Sequence, residues 1–309
     1  MGTAELAGAS LRALCREQTF QMVAVVSQPD KPKGRDLKVQ PTPVKAVAMA
    51  EGLAVLQPKR ARDEAFITQL RDYRPELIVV AAYGQILPAA ILELPRYGCI
   101  NVHTSLLPKY RGAAPIQWAI IEGETETGVT IMRMDAGLDT GDILTQVTTP
   151  IAADDNAQTL HDRLAVLGAE LLVKTIPDFV SGKIVPRPQP REGATHARKI
   201  TKDDGRLNWS QSAPRLWNRV RGLVPWPGAF THHVVDGVSR LIKVWQVEVV
   251  TAPSAQPGQV ISADRNGLVV ACGEGALRIL QLQREGGRRL TAQEFLAGCP
   301  IPVGALFEA

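Results

Sequence analysis

The sequence predicts two folded parts: an α/β domain built on a mostly parallel sheet, then a small β-barrel. Three observations carry this. The length of 309 residues is about twice the usual single-domain size. Over the first 180 residues, apolar runs of strand length alternate with helical patterns. Beyond residue 203, short β-branched runs follow one another between Gly, Asp and Asn turns.

The opening GTAELAGASLRALCREQ (2–18) reads as a glycine turn feeding a helix, yet no strand precedes it. In a doubly wound sheet that strand comes first and sits centrally. The expectation is a chain shortened ahead of Met1 by roughly half a dozen residues, a strand's usual length. The alternative, a sheet lacking its central strand, leaves backbone groups unpartnered at about 1–3 kcal/mol for each buried one. Restoring a β-branched strand ahead of Met1 is accordingly expected to raise the melting temperature. FQMVAVVSQ (20–28), ELIVVAA (76–82), GCINVH (98–103) and TGVTIMRM (127–134) have strand length and β-branched content, with helical segments near 42–52, 62–72 and 113–123. NAQTLHDRLAVLGAELLVKTIPDF (156–179) places leucines at i, i+3 and i+7 and closes the domain as a longer helix.

Residues 181–202 hold six basic residues against the single acid Glu192, with three prolines, and read as an extended basic linker. A short helix at APRLWNRVRGL (213–223) then precedes the strand-like SRLIKVWQVEVV, GQVIS, NGLVVACG and ALRILQLQ. His232 and His233 read as turn residues and His161 as a helix-surface residue, none of them a ligand. The expected organisation is a Rossmann-like domain over 1–180, the linker over 181–202 and an OB-like barrel over 203–309.

Hydrophobic residues make up 45% and charged residues 21% of the chain, which excludes a disordered or fibrous protein. No stretch approaches 18 uninterrupted apolar residues and no basic segment leads an apolar run at the start, so a cytoplasmic location with no membrane partner is expected. Cys15, Cys99, Cys272 and Cys299 lack metal-ligand or disulfide spacing and are expected reduced and buried. The net charge of +4 is unevenly placed. Residues 1–198 carry 22 basic and 22 acidic residues, whereas 199–309 carry 13 and 9, so the whole excess (13 − 9 = +4) lies in the last third. With the basic linker, that favours a polyanion such as RNA as partner.

The chemistry concentrates in GCINVHTSLLPKYRGAAP (98–115). Alternation sends Asn101 and His103 out of one face of a strand, at the C-terminal end where open α/β sheets place their ligands. The turn that follows packs Pro, Gly and two basic residues ahead of a helix. A second polar turn, DAGLDTGDI (135–143), carries Asp135, Asp139 and Asp142 between glycines. A metal loop is a competing reading, but EF-hand spacing is absent. A carboxylate beside His103 would stabilise its cation and hold its ring, as general acid–base work requires.

NVHTSLLPKYRGAAPIQWAI and AGLDTGDIL resemble the formyltransferase family that uses 10-formyltetrahydrofolate. The resemblance implies a catalytic trio at Asn101, His103 and Asp139, and a folate-lining turn at Ser105, Leu106, Leu107 and Pro108. SQPDKPKGRDLKVQPTPVK (27–45), HARKITKDDGRLNW (196–209) and VRGLVPWPGAF (220–230) are similar to the branch of the family that acts on methionyl initiator tRNA. It covers nearly the whole chain, and departs from the usual Pro and Phe at Ala4 and Leu6. It implies 10-formyltetrahydrofolate as formyl donor, tetrahydrofolate as product, no metal and no obligatory protein partner. The loop KPKGRDLK holds four basic residues in eight positions. By resemblance, Lys33, Arg35 and Lys38 on that loop, with Arg198 and Lys199 on the linker, would contact the RNA. Three rivals stand beside this: a glycinamide ribonucleotide formyltransferase, which would end near the linker; a sugar-amine formyltransferase, which would lack the basic loop; and a non-catalytic tRNA-binding relative, against which the intact trio argues.

Overall fold

Branched residues suit an extended backbone, and Val, Ile and Thr dominate the strands of this chain. The computed structural model describes residues 1–33 and 38–308. Two units are distinguished: residues 1–115, 126–150 and 161–197 form the first, and residues 116–125, 151–160 and 198–309 the second.

In chain order the first unit begins with α1 (Glu5–Arg16), β1 (Val25–Val26), β2 (Lys31–Lys33), β3 (Lys38–Gln40), α2 (Pro43–Ala50), β4 (Val55–Leu56), α3 (Glu64–Asp72) and β5 (Ile78–Val80). The chain continues through α4 (Ala89–Leu92), β6 (Cys99–His103), β7 (Arg111–Gly112), α5 (Pro115–Ile121), β8 (Glu126–Arg133), β9 (Ile143–Pro150), α6 (Ala157–Val180) and β10 (His196–Ala197), of which α5 from Ile116 on and the first four residues of α6 fall in the second unit. Local sequence explains several ends. Thr42 caps α2, its hydroxyl accepting from Lys45 N at 3.2 Å, with Pro43 in the first helical position. The leucine face of α6 is buried at Leu160, Leu164 and Leu172.

β1 pairs in parallel with β4, and β5 with β6. Between the two pairs lie Met1–Thr3. Gly2 N donates to Val26 O at 2.8 Å, the Met1 amino group to Val79 O at 2.6 Å, and Ala81 N to Met1 O at 3.0 Å. Gly2 is needed there, because a Cβ would stand 2.4 Å from Ala7 Cβ and 2.8 Å from Ala81 O. The first three residues thus take the central position for which the sequence offered no strand. Alongside Met1 a cavity of about 700 Å³ is lined by Met22, Ala24, Leu77, Val79 and Ile176 among others. Of the expected strand 20–28, only Val25–Val26 is regular, since residues 20–24 flank this cavity and have no inner strand to pair with. The far edge is antiparallel, β6 pairing with β8 and β8 with β9. β9 was not expected. Its ILTQVTTP alternates partly buried and exposed residues but runs straight on from the polar turn, which hides it in a sequence.

The stretch 181–202, expected as a linker, carries backbone pairing. Arg187 bridges Ile143 in antiparallel fashion, β10 pairs in parallel with β7, and residues 181–197 fall in the first unit.

The second unit contains α7 (Ala213–Gly222), β11 (Ala229–Val235), β12 (Val238–Val250), β13 (Val260–Asp264), β14 (Gly267–Ala271), β15 (Ala276–Arg284), β16 (Leu290–Thr291), α8 (Ala292–Gly298) and β17 (Phe307–Glu308). The antiparallel path runs β13-β14-β15-β12-β11-β17. Val260 N donates to Ala305 O at 2.8 Å and Phe307 N to Gly258 O at 2.9 Å, so the residues before β17 return to the start of β13 and curl the sheet into a barrel. Leu216, Val244, Leu268, Ile279, Leu282 and Phe295 fill it.

Two sequence readings are corrected here. His232 and His233 lie on β11, not in a turn. His233 is buried edge-on to Phe307, which keeps its pKa below the ordinary histidine value by desolvation. Alternation through FTHHVV carried that strand, but the polar pair masked it. Cys99 and Cys272 are buried and inert, burial pushing their thiols up to about 12 and about 11, whereas Cys15 and Cys299 are only half-buried.

Near its start, the second unit is pinned by Asp204, whose buried carboxylate accepts from Arg198 Nη1 at 2.9 Å, Thr201 N at 2.8 Å and Thr201 Oγ1 at 2.9 Å. The Arg198 guanidinium holds this carboxyl well below the usual carboxylate range. Its stabilisation is therefore complete above the unfolded aspartate value of about 3.9 and is lost as pH falls below it. Asp204→Asn is expected to lower unfolding free energy by about 2 kcal/mol at pH 7. In denaturant titrations the gap between variant and wild type should begin to narrow below about pH 4 and shrink further as pH falls toward the lower folded-state value.

Candidate active site

β6 carries Asn101 and His103 on one face, two residues apart, opposite Met132 and Thr130 of β8. The turn that follows is tied down from below. Thr130 Oγ1 donates to Ser105 O at 2.7 Å and accepts from Leu107 N at 3.1 Å, and Gln146 Nε2 donates to Leu107 O at 3.0 Å. Ser105 is fully buried and its hydroxyl donates to Lys109 O at 2.6 Å. Ser105 and Leu107 thus shape the turn from inside, while Leu106 and Pro108 remain partly accessible.

The second polar turn delivers Asp139. Asp135 shapes it, accepting from Gly137 N at 3.0 Å and Thr140 Oγ1 at 2.8 Å. Gly141 closes it, for a Cβ there would lie 1.8 Å from Arg133 O. Asp139 itself adopts the left-handed region at φ +53°. Its Oδ2 accepts from Gly112 N at 2.9 Å and lies 3.7 Å from His103 Nδ1, and its Oδ1 accepts from Asn101 Nδ2 at 3.4 Å. The three residues singled out from sequence therefore meet around one carboxylate. The other two carboxylates of the turn do not join it, and among the described residues no group of three or more His, Cys, Asp or Glu could hold a metal ion.

The His103 tautomer follows from its other contact. Nε2 stands 2.9 Å from Tyr110 O, and a carbonyl can only accept, so Nε2 carries the proton. Nδ1 faces Asp139, and the ring is buried.

Sequence reasoning missed four contributors: the Tyr110 carbonyl, the Gly112 amide, Arg111 and Gln189. The first two act through backbone, which leaves no side-chain signature. Gly112 has φ +118°, and a Cβ there would sit 2.7 Å from Ala197 O, so the glycine lets β7 lie against β10. Gly141→Ala tests the turn: overpacking against Arg133 should cost about 2–3 kcal/mol and displace Asp139, with kcat falling at least tenfold in steady-state assays.

The basic residues lie apart from this cluster in sequence. Lys33 and Lys38 face each other in the register of β2 and β3, and Arg35 lies outside the described residues. Arg198 spans Asp204 and the Trp118 ring, 4.9 Å from its centroid, so its charge is already balanced; Lys199 is exposed.

A mostly parallel α/β sheet bearing this polar cluster, followed by an antiparallel barrel, is the frame of a two-domain transferase. Residues 1–176 match the family model described as formyl transferase, and residues 199–300 the model described as formyl transferase, C-terminal domain. The chain belongs to the formyl transferase family. It is 50% identical to the methionyl-tRNA formyltransferase of Caldanaerobacter subterraneus subsp. tengcongensis over 100% of this chain and 98% of that one. It is also 50% identical to the methionyl-tRNA formyltransferase of Citrifermentans bemidjiense over 99% and 94%. An N-formyltransferase from Helicobacter canadensis, solved with folinic acid and dTDP-3-aminofucose, shares the fold with a TM-score of 0.65 at 17% identity, covering 94% of this chain and 97% of that one.

Proposed function

We propose that this chain transfers the formyl group of 10-formyltetrahydrofolate to the α-amino group of methionine esterified to initiator tRNA. The observation that carries the reading is the convergence of Asn101, His103 and Asp139 within a chain about half identical, end to end, to methionyl-tRNA formyltransferases. The amine attacks the formyl carbon and the carbonyl oxygen becomes an oxyanion. Asn101 Nδ2 donates to that oxygen, and so does His103 once Nδ1 is protonated; one such donor lowers the barrier by about 3–4 kcal/mol. Asp139 orients both donors, stabilises the imidazolium and helps pass the amine's proton to N10 as the C–N10 bond breaks. Little base strength is required, since α-amino groups lose their proton near pH 7.7–8, about where enzymes work.

The folate lies on the turn 105–108, with Leu106 and Pro108 offering its accessible surface and Ser105 and Leu107 holding its shape. Lys33, Arg35 and Lys38 in the basic segment, and Arg198 and Lys199 at the start of the second unit, contact RNA phosphates, Lys199 from an exposed position. The barrel from residue 203 serves as the RNA platform. Among the described residues no helix is long and apolar enough to cross a membrane, and we place the protein in the cytoplasm, where charged tRNA and folate are found, with no obligatory protein partner.

The test is direct. The full chain is mixed with 10-formyltetrahydrofolate and methionyl initiator tRNA, and in parallel with a nucleotide-linked amino sugar. Formylmethionyl-tRNA in the first mixture is the expected product. RNA binding without product would support the non-catalytic relative, and formylation of the sugar alone the sugar-amine formyltransferase.

A further inference from the structure

We propose that Gln189 is a positioning residue for the transfer, holding the Asp139 carboxylate in place through the main chain. It lies in PRPQPR (186–191), the middle of the stretch read from sequence as a linker, and every hydrogen-bonding position of its amide is used. Nε2 donates to Asp139 O at 2.8 Å and to Gly141 O at 2.7 Å. Oε1 accepts from Arg111 Nε at 3.0 Å and from Arg111 Nη2 at 2.7 Å. Arg111 is followed by Gly112, whose amide binds Asp139 Oδ2.

These contacts form a closed ring. It runs from the Asp139 carboxylate to Gly112 N, through β7 to the Arg111 guanidinium, to Gln189, and back to the Asp139 carbonyl. One amide side chain therefore fixes both ends of the same aspartate. Such fixing is needed because Asp139 occupies the left-handed region without being glycine, and its loop is otherwise exposed at residues 135–138. The backbone pairing of Arg187 with Ile143, and of His196–Ala197 with Arg111–Gly112, brackets Gln189 on both sides and holds it over the loop. A glutamine suits the place better than other polar residues, because only an amide offers two donors to two carbonyls and an acceptor to a guanidinium from one planar group.

The inference rests on the proposed role of Asp139, so the experiment separates the two. The full chain is assayed for transfer from 10-formyltetrahydrofolate to methionyl initiator tRNA as wild type, Gln189→Glu, Gln189→Met and Asp139→Asn. Gln189→Glu keeps and strengthens the contact with Arg111, but turns a carboxylate oxygen toward the carbonyls of Asp139 and Gly141. The expected result is a kcat lowered about tenfold or more, with KM for both substrates within about threefold. A role confined to anchoring Arg111 predicts wild-type kcat in that variant. Gln189→Met, nearly isosteric but unable to hydrogen-bond, should lose kcat to a similar degree and melt earlier. If it does not fold, Gln189→Glu still decides. Slow Asp139→Asn with Gln189→Glu at wild-type speed overturns the positioning role alone; Asp139→Asn at wild-type speed overturns the assignment of the trio and the positioning role with it.

Discussion

Asn101→Ala and His103→Ala are each expected to lower kcat by about 10² or more, with KM for the folate and the RNA within a few-fold. The reason lies in when the contacts form. The formyl oxygen is a weak acceptor in the ground state and a strong one once the amine has added, so donors aimed at it act on the transition state and leave binding nearly untouched. Asn101 Nδ2 is kept on station by Asp139 Oδ1 at 3.4 Å, and the His103 ring by Tyr110 O at 2.9 Å, so neither donor must reorganise during the step. The measurement is steady-state formylation with each substrate varied in turn. A wild-type kcat in either variant would remove that residue from the chemistry.

RNA affinity should fall by about 10² between 50 and 200 mM salt. Each neutralised phosphate contributes a slope of about +0.7 to +0.9 in log Kd against log salt. Lys33, Arg35, Lys38 and Lys199 are the four proposed contacts counted here. Arg198 is left out because Asp204 already balances its charge. Replacing any of the four by Ala should reduce the slope by about one contact while leaving kcat at saturating RNA intact. Affinity that does not respond to salt would mean that the basic residues of the loop and the linker do not bind phosphate.

How far the sequence could be read depended on whether a residue's own type carried its role. Strand alternation puts Asn101 and His103 on one face, and three carboxylates between glycines exceed what a plain turn needs, but that Asp139 is the one to join them came from the resemblance to the formyltransferase family. The helices were legible because the Thr42-Pro43 start and the leucine spacing of α6 are written in side chains. Gln189 was not, since its importance comes from where the chain returns after α6, and prolines on both sides made that stretch look like a spacer. The Gly112 amide and Tyr110 carbonyl act through backbone that any sequence possesses. β9 and β11 were missed because polar residues interrupt the apolar pattern, in β11 on the buried face itself at Thr231 and His233, and only the pairing partners β8 and β12 reveal them. At the start of the chain Met1–Thr3 pair with Val26, Val79, Ala81 and Ala82, and residues 20–24 run without regular structure along the cavity beside Met1.

In the proposed mechanism Asn101, His103 and Asp139 work as one unit around a single carboxylate. A double-mutant cycle tests it most directly, with single-turnover formylation measured for wild type, Asn101→Ala, Asp139→Asn and the double variant under saturating substrates. Since Asp139 orients both donors, the share of its effect that runs through Asn101 should vanish once Asn101 is gone, and the double variant is predicted to be faster than the product of the two single losses by about tenfold or more. Rate losses that simply multiply, each single variant near 10² and the double near 10⁴, would contradict the claim and show two groups acting independently.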